Sequence, residues 1–221
     1  MSEPRFVVTP AGEHPLHEYH LQLGDHAWRI LHAAAVFGHD DEQRFLGAEV
    51  RIPYGLALWP SSVALAHDLA TRDLAGKRIL ELGAGTGLPG IVASTLGATV
   101  VQTDFQDVAL QLCVQNARRN RATVEHRAAD WTAWTDTARY DYVIGSDILY
   151  TEGMRPHLRA IFDANLAAGG TLLLADPLRK QSVPLLEAME AEGWLVSMSK
   201  WSVGGDTETR AIGVYELRRL G

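Results

Sequence analysis

A single cysteine, Cys113, occurs among the 221 residues, so the chain can form no internal disulfide and no cysteine-built zinc site. Its place inside a helix-like apolar pattern reads as a core thiol, which leaves no sequence basis for redox chemistry. No apolar run approaches the roughly 20 residues needed to cross a bilayer, and the charged start Met-Ser-Glu-Pro-Arg lacks the apolar segment of a secretory signal. No membrane association and a cytoplasmic location are therefore expected. Positive charge is scarce: 20 Lys and Arg stand against 27 Asp and Glu, a formal net charge of -7. This balance opposes non-specific binding to polyphosphate, so no nucleic-acid partner is expected, and it suits a cationic substrate. His14, His17 and His20 lie beside acids but have no second cluster to complete a coordination shell, so no metal is expected. Arg118, Arg119 and Arg121 read as a solvated helix end that complements the helix dipole.

What is present is enough for one domain with a sizeable core, the composition being 47% hydrophobic. Residues 1–57 lack the strand-helix rhythm of the remainder and carry a hairpin signal, Tyr19 to Leu23 and Ala27 to Leu31 about Gly24-Asp25. They read as an amino-terminal extension of a domain over residues 58–221, the two forming one structural unit. A helix is indicated at 61–72, then strands at 78–82, 99–103, 123–128, 140–145 and 171–175, with helices near 88–96, 107–119, 154–166 and 183–192. Such alternation implies an α/β fold with a mostly parallel sheet and helices on both faces. Two final strand-like runs, 194–201 and 211–218, are separated by Gly204-Gly205-Asp206, which reads as a loop closing an antiparallel pair.

The first strand of that series runs straight into Gly83-Ala-Gly85-Thr-Gly87. These glycines permit positive φ and leave no Cβ in the way of a nucleotide-like ligand, and Pro89 suits the first turn of the helix that follows. A dinucleotide fingerprint would need a further glycine at 88, where the chain has Leu88, and its fold would more naturally continue in parallel strands than in a hairpin. With Glu81 two places ahead of it, the stretch instead resembles motif I of the seven-strand S-adenosylmethionine (SAM) dependent methyltransferases, whose product is S-adenosylhomocysteine. Glu81, Asp104, Asp130 and Asp147 fall at or beyond the carboxyl ends of four successive strands, the edge where open α/β sheets bind ligands. Asp104 follows Gly85 by 19 residues, about the separation at which an acid meets ribose hydroxyls; capping of the next helix is its alternative reading. Asp130 can accept from an exocyclic adenine amine while Trp131 offers the ring an apolar surface, or the two are a loop acid and a core tryptophan. Glu81 is either an organiser of the glycine loop or a partner for the ammonium of SAM.

Leu58-Trp59-Pro60, Glu81 to Gly87, Thr103-Asp104, Asp130-Trp131 and Ser146-Asp147-Ile148-Leu149-Tyr150 follow one another in the order and spacing of the family-16 methyltransferases, which the chain resembles over residues 53 to about 165. That family is similar in fold to nicotinamide methyltransferase and contains many protein lysine methyltransferases. The resemblance implies a Rossmann-like seven-strand methyltransferase sheet, SAM as cofactor and Trp59 in the wall of its cleft. The D-x-x-Y of Asp147 and Tyr150 resembles the signature of the lysine-modifying branch and replaces the N/D-P-P-Y/F of enzymes that methylate nucleobase or glutamine amino groups. It implies a protein substrate presenting a lysine, with Asp147 holding the amine and Tyr150 bounding the acceptor pocket; Tyr150 as a packing residue at a helix start is the alternative. Methylation of a small amine, with the pocket closed by the amino-terminal segment, is the competing activity, and a non-catalytic SAM-binding module the third reading.

Overall fold

The computed structural model describes residues 6–37, 39–47, 52–204 and 209–219. Two antiparallel pairs come first, β1 (Phe6–Thr9) with β2 (Gly12–Pro15) and β3 (His17–Leu23) with β4 (His26–His32), the latter turning at Gly24-Asp25. A short β5 (Ala34–Ala35), then α1 (His39–Gly47), lead to β6 (Ala57–Leu58), which pairs with β5 in parallel. Helix α2 (Pro60–Ala70) opens the alternating part: β7 (Arg78–Leu82), α3 (Leu88–Thr95), β8 (Thr99–Asp104), α4 (Asp107–Arg119), β9 (Val124–Ala128), β10 (Tyr140–Ser146), α5 (Arg155–Asn165), β11 (Leu166–Asp176), α6 (Val183–Ala191), β12 (Trp194–Gly204) and β13 (Thr209–Arg219).

The central sheet has seven strands in the order β12-β13-β11-β10-β7-β8-β9. The five from β9 to β11 are parallel, and β13 lies antiparallel between β11 and β12. A continuous apolar run such as Ile79-Leu80 is what a strand covered on both faces requires. Side chains alternate across β7, with Ile79 in the core beneath α2 and α3 and Leu80 and Leu82 in the opposite core beneath α5 and α6. Glu81 therefore shares the face of Ile79, directly under α3.

Expectation and structure differ after α5. The strand begins at Leu166, which pairs with Tyr140, rather than at 171, and the register shifts between Tyr140 and Tyr142. The chain enters the sheet as soon as the helix ends, and Gly169, at φ 71°, accommodates the irregular stretch before regular pairing resumes at Thr171. Of the loop expected about Gly204-Gly205-Asp206, β12 includes Gly204, while Gly205 and Asp206 lie outside the described residues.

The hairpin β3–β4 is tied to the sheet domain by two amides one turn apart, Asn116 on α4 and Asn120 at its C-terminal cap. Asn116 Oδ1 accepts the Leu31 N–H at 2.8 Å and its Nδ2 donates to Leu31 O at 3.0 Å. Asn120 makes the same pair of bonds to Arg29, both at 2.8 Å. The two side chains serve β4 as a neighbouring strand would, satisfying backbone groups that an edge leaves open. Asn116 Nδ2 also donates to Thr86 O at 2.9 Å, which couples the hairpin to the glycine loop.

Candidate active site

The chain leaves β7 toward β8 on one side of the sheet, while β10 and β11 extend it on the other. A cleft of about 670 Å³ opens at the carboxyl ends of these strands, where such a switch in strand order leaves a crevice. Trp59, Gly83, Gly85, Asp104, Asp130, Trp131, Asp147 and Tyr150 all line it. Glu81 and Gly87 stand behind its wall.

Glu81 is 1% exposed. Its Oε2 accepts the Gly90 N–H at 3.0 Å and Gln102 Nε2–H at 2.6 Å, and the same Gln102 nitrogen donates to Gly87 O at 2.8 Å. The carboxyl thus binds the first turn of α3 to β8 beneath the glycine loop. Burial pushes its pKa up to about 8, against the pull of the Gln102 and Gly90 hydrogen bonds, with Asp104 adding to the rise. The folded chain therefore holds a proton that the unfolded chain releases above about 4.5. Stability from this site is full below that value and is lost as pH rises through about 8. Glu81→Gln keeps the neutral form at every pH, so its thermal midpoint should match wild type near pH 5 and exceed it near pH 8.5, a gain on the order of a few kcal/mol. Parallel midpoint curves for the two proteins across this range would contradict the assignment.

The loop above is left-handed at each glycine, with φ of 65°, 54° and 82° at Gly83, Gly85 and Gly87. Asp104 spans it: Oδ2 accepts the Gly85 N–H and Oδ1 the Gln106 N–H, each at 2.9 Å. Burial raises the Asp104 pKa while these amides and that of Phe105 resist the rise. Cys113 donates its S–H to Gly85 O at 3.0 Å and is fully buried, a strut under the loop whose thiol burial pushes well above its usual pKa. Gly55 closes in from the other side, its carbonyl oxygen only 3.4 Å from where a Cβ on Gly85 would lie.

Trp131 and Ile148 form an apolar wall, both approaching Gly83, where an added Cβ would sit 2.9 Å from Ile148 Cγ2 and 3.4 Å from Trp131 Cζ2. Asp130 is exposed and accepts the Thr132 N–H and hydroxyl through Oδ1, each at 2.8 Å, which lowers its pKa.

At the other end, Asp147 sits in left-handed backbone, φ 56°, with its carboxylate buried. Oδ1 lies 2.6 Å from Arg179 Nη1, and that nitrogen is also 3.1 Å from Asp176 Oδ2. Burial raises the Asp147 pKa; Arg179 and the Ser61 hydroxyl oppose the rise, and Asp176 adds to it. Tyr150, 60% exposed, stands at the mouth together with Tyr54 and Phe105, exposed by 59% and 73%. Trp59 stacks on Tyr54 with centroids 6.0 Å apart and donates its indole N–H to Tyr54 O at 3.1 Å. Phe45 of α1 meets both rings edge-on. Tyr54, Gly55, Gln102 and Arg179 were not among the residues singled out by spacing. Only Arg179 carried a visible signal, since Asp176 ends the fifth parallel strand and Asp147 immediately follows the fourth.

Among the described residues no group of three or more His, Cys, Asp or Glu side chains is placed to hold a metal. His14 contacts the Thr9 hydroxyl at 2.8 Å, and His20 Nε2 lies 2.5 Å from Glu18.

The model of a family described as lysine methyltransferase matches residues 44–189, from within α1 to within α6. The chain is 35% identical over 134 residues to the protein N-lysine methyltransferase METTL21A of Danio rerio, covering 56% of this chain and 61% of that protein. It is also 35% identical over 127 residues to the histone-arginine methyltransferase METTL23 of Xenopus laevis, covering 50% of this chain and 52% of that one. The chain thus spans between about half and three fifths of the length of the curated relatives it matches. A solved methyltransferase of Pyrococcus furiosus shares the fold, with a TM-score of 0.59 at 19% identity over 72% of this chain and 83% of that one.

Proposed function

Since the chain belongs to the lysine methyltransferase family, we propose that it transfers a methyl group from SAM to the side-chain amine of a lysine in a protein substrate. The observation that carries this reading is the division of this cleft into two ends. Asp104 and the Trp131–Ile148 wall border the glycine loop, while Asp147 and Tyr150 lie beside an open aromatic mouth.

The first end fits SAM in its chemistry. Asp104 offers carboxylate acceptors for vicinal hydroxyls beside the backbone of Ala84 to Thr86, and Trp131 with Ile148 offers a flat apolar surface for a purine, with Asp130 at its edge. Gly83 keeps that wall and the loop in contact. When bound, SAM supplies a methyl group already activated on a sulfonium, so the protein's task is to align the acceptor and exclude water. In this reading Asp147 accepts from the amine and aims its lone pair, and its position in the lining of the cleft supports that role. Tyr54, Phe105 and Tyr150 expose ring surface around the mouth, which suits the aliphatic stem of a lysine delivered by a folded or extended chain better than a small amine sealed inside.

Calorimetry with SAM tests the cofactor half of this reading. Asp104→Ala should weaken binding by about 1.5 to 3 kcal/mol, the loss of a charge-assisted hydrogen bond, and unchanged affinity would remove Asp104 from the site. For the acceptor half, cell extract is incubated with the enzyme and methyl-labelled SAM, and labelled protein is hydrolysed to its amino acids. Label in methyllysine supports the reading; label only in arginine or in a small amine overturns it.

A further inference from the structure

We propose that Arg179 is a positioning residue for the transfer step: bridging two buried acids at the acceptor end of the cleft, it fixes the orientation of Asp147 and sets a permanent positive charge beside the acceptor, so that the amine is held as the free base. The inference rests on the lysine reading and adds to it a residue outside the D-x-x-Y pair.

Asp176 shapes the turn that delivers the guanidinium. Its Oδ1 accepts the Arg179 N–H at 2.6 Å and its Oδ2 accepts Nη1–H at 3.1 Å, while Asp147 Oδ1 lies 2.6 Å from the same nitrogen. Of the three side chains, Asp176 is 0% exposed, Asp147 10% and Arg179 21%, so the cation is the member most open to the cleft. The backbone on both sides is held in a conformation that side chains rarely adopt. Asp147, at φ 56°, and Leu178, at φ 59°, are two of the three non-glycine residues with positive φ among the described residues. Strain of this kind persists where surrounding structure over-determines a functional geometry.

The charge balance gives the arrangement its chemical sense. An amine can attack a methyl group only through its lone pair, so a protonated lysine is unreactive. Two carboxylates alone would hold an incoming amine in its ammonium form, whereas a guanidinium shared between them cancels one charge and repels a second cation. The other titratable and charged groups around the trio do not substitute for it. Glu42 of α1 lines the cleft as well as a side pocket next to Arg179, but its charge is already met by Arg210 of β13, with which it is ion-paired. Helix α2 contributes only the Ser61 hydroxyl toward Asp147, while Tyr150 lies toward Arg179 and Tyr215 toward Asp176.

The test is the pH profile of kcat for methylation of the lysine-bearing protein identified by labelling, with saturating SAM. In R179Q the acid limb should move upward by about one pH unit or more, with roughly tenfold loss at pH 7 that is recovered at higher pH. R179K, which keeps the charge, should leave the limb near its wild-type position, and D176N, which removes a negative charge, should move it down. The Kd for SAM by calorimetry should stay within about threefold of wild type in all three variants. Independently of turnover, the thermal midpoint of R179Q should fall relative to wild type as pH rises from 5 to 8, because two acids left without their cation ionise at a cost. Coincident profiles for wild type and R179Q, or equal shifts in R179Q and R179K, overturn the proposal. Should R179Q not fold, the D176N and R179K profiles decide it alone. If the wild-type enzyme labels no lysine at all, the lysine reading fails; if it labels lysine and the profiles coincide, only the role of Arg179 fails.

Discussion

Asp147→Asn is expected to bind SAM with near-normal affinity and fold normally while its rate of methyl transfer to a lysine-bearing protein falls by about two orders of magnitude or more, equivalent to roughly 2.7 kcal/mol of transition-state stabilisation. The substitution is nearly isosteric, and asparagine tolerates the left-handed backbone that Asp147 adopts at φ 56°, so the turn after β10 is preserved. What it removes is the charge that pairs with Arg179 and, on the proposed reading, the carboxylate acceptor for the amine. A neutral amide can still point an oxygen at the acceptor, but its NH2 can equally face it, and the orientation is no longer set by an ion pair. On this reading the acid is a positioner, since a carboxylate paired with Arg179 remains a weak base toward an alkylammonium even though burial raises its pKa. Tyr150→Phe separates the roles of its neighbour: a small loss means that the ring shapes the mouth, a large one that the hydroxyl orients the amine. Asp147→Asn turning over at the wild-type rate would sink the assignment.

The largest loss of stability is expected from the smallest change, Gly90→Ala. Gly90 lies in the first turn of α3, and a Cβ there would fall 2.4 Å from Glu81 Oε2 and 2.6 Å from Gln102 Nε2. Both neighbours are fully buried and bonded to each other, so neither can swing aside into solvent. Relief requires α3 to lift from the sheet or the Glu81–Gln102–Gly90 bonds to break, and overpacking combined with buried polar groups left unpaired costs about 3 kcal/mol or more. For a chain of this size that is a fall on the order of 10 °C in thermal midpoint, readable by calorimetry. The companion variant Glu81→Ala removes the obstructing carboxyl, so the double substitution should cost less than the sum of the two single ones. Strict additivity would mean that the clash is absorbed elsewhere.

These two sites differ in how far they could be read before the fold was known. The strands at 78–82 and 99–103 and the hairpin of 194–201 with 211–218 announce themselves through apolar runs bounded by glycine and polar residues, and they take their places in the seven-strand sheet. Asp104, Asp130 and Asp147 could be placed on one edge because each lies at or just beyond the end of a strand, and in a parallel sheet all strands end on the same side. Glu81 follows the same rule along the chain but lies one residue inside its strand. Alternation turned its side chain under α3 rather than into the cleft.

What the sequence by itself determined is therefore periodic and local: the order of strands and helices, the left-handed glycine loop, the strand ends that carry acids, and through them the family. Period-two and period-3.6 patterns and glycine's freedom at positive φ act over a few residues, so they are written in the chain. Only the tertiary structure decided the contacts that cross long separations. Gly90 must be glycine because Gln102 and Glu81 meet beneath it, Asn116 serves both the hairpin and Thr86, and Arg179 reaches Asp147 from the end of another strand. Such partners are chosen by packing and by the need to pair every buried charge and amide, and neither leaves a spacing that can be read along a single chain.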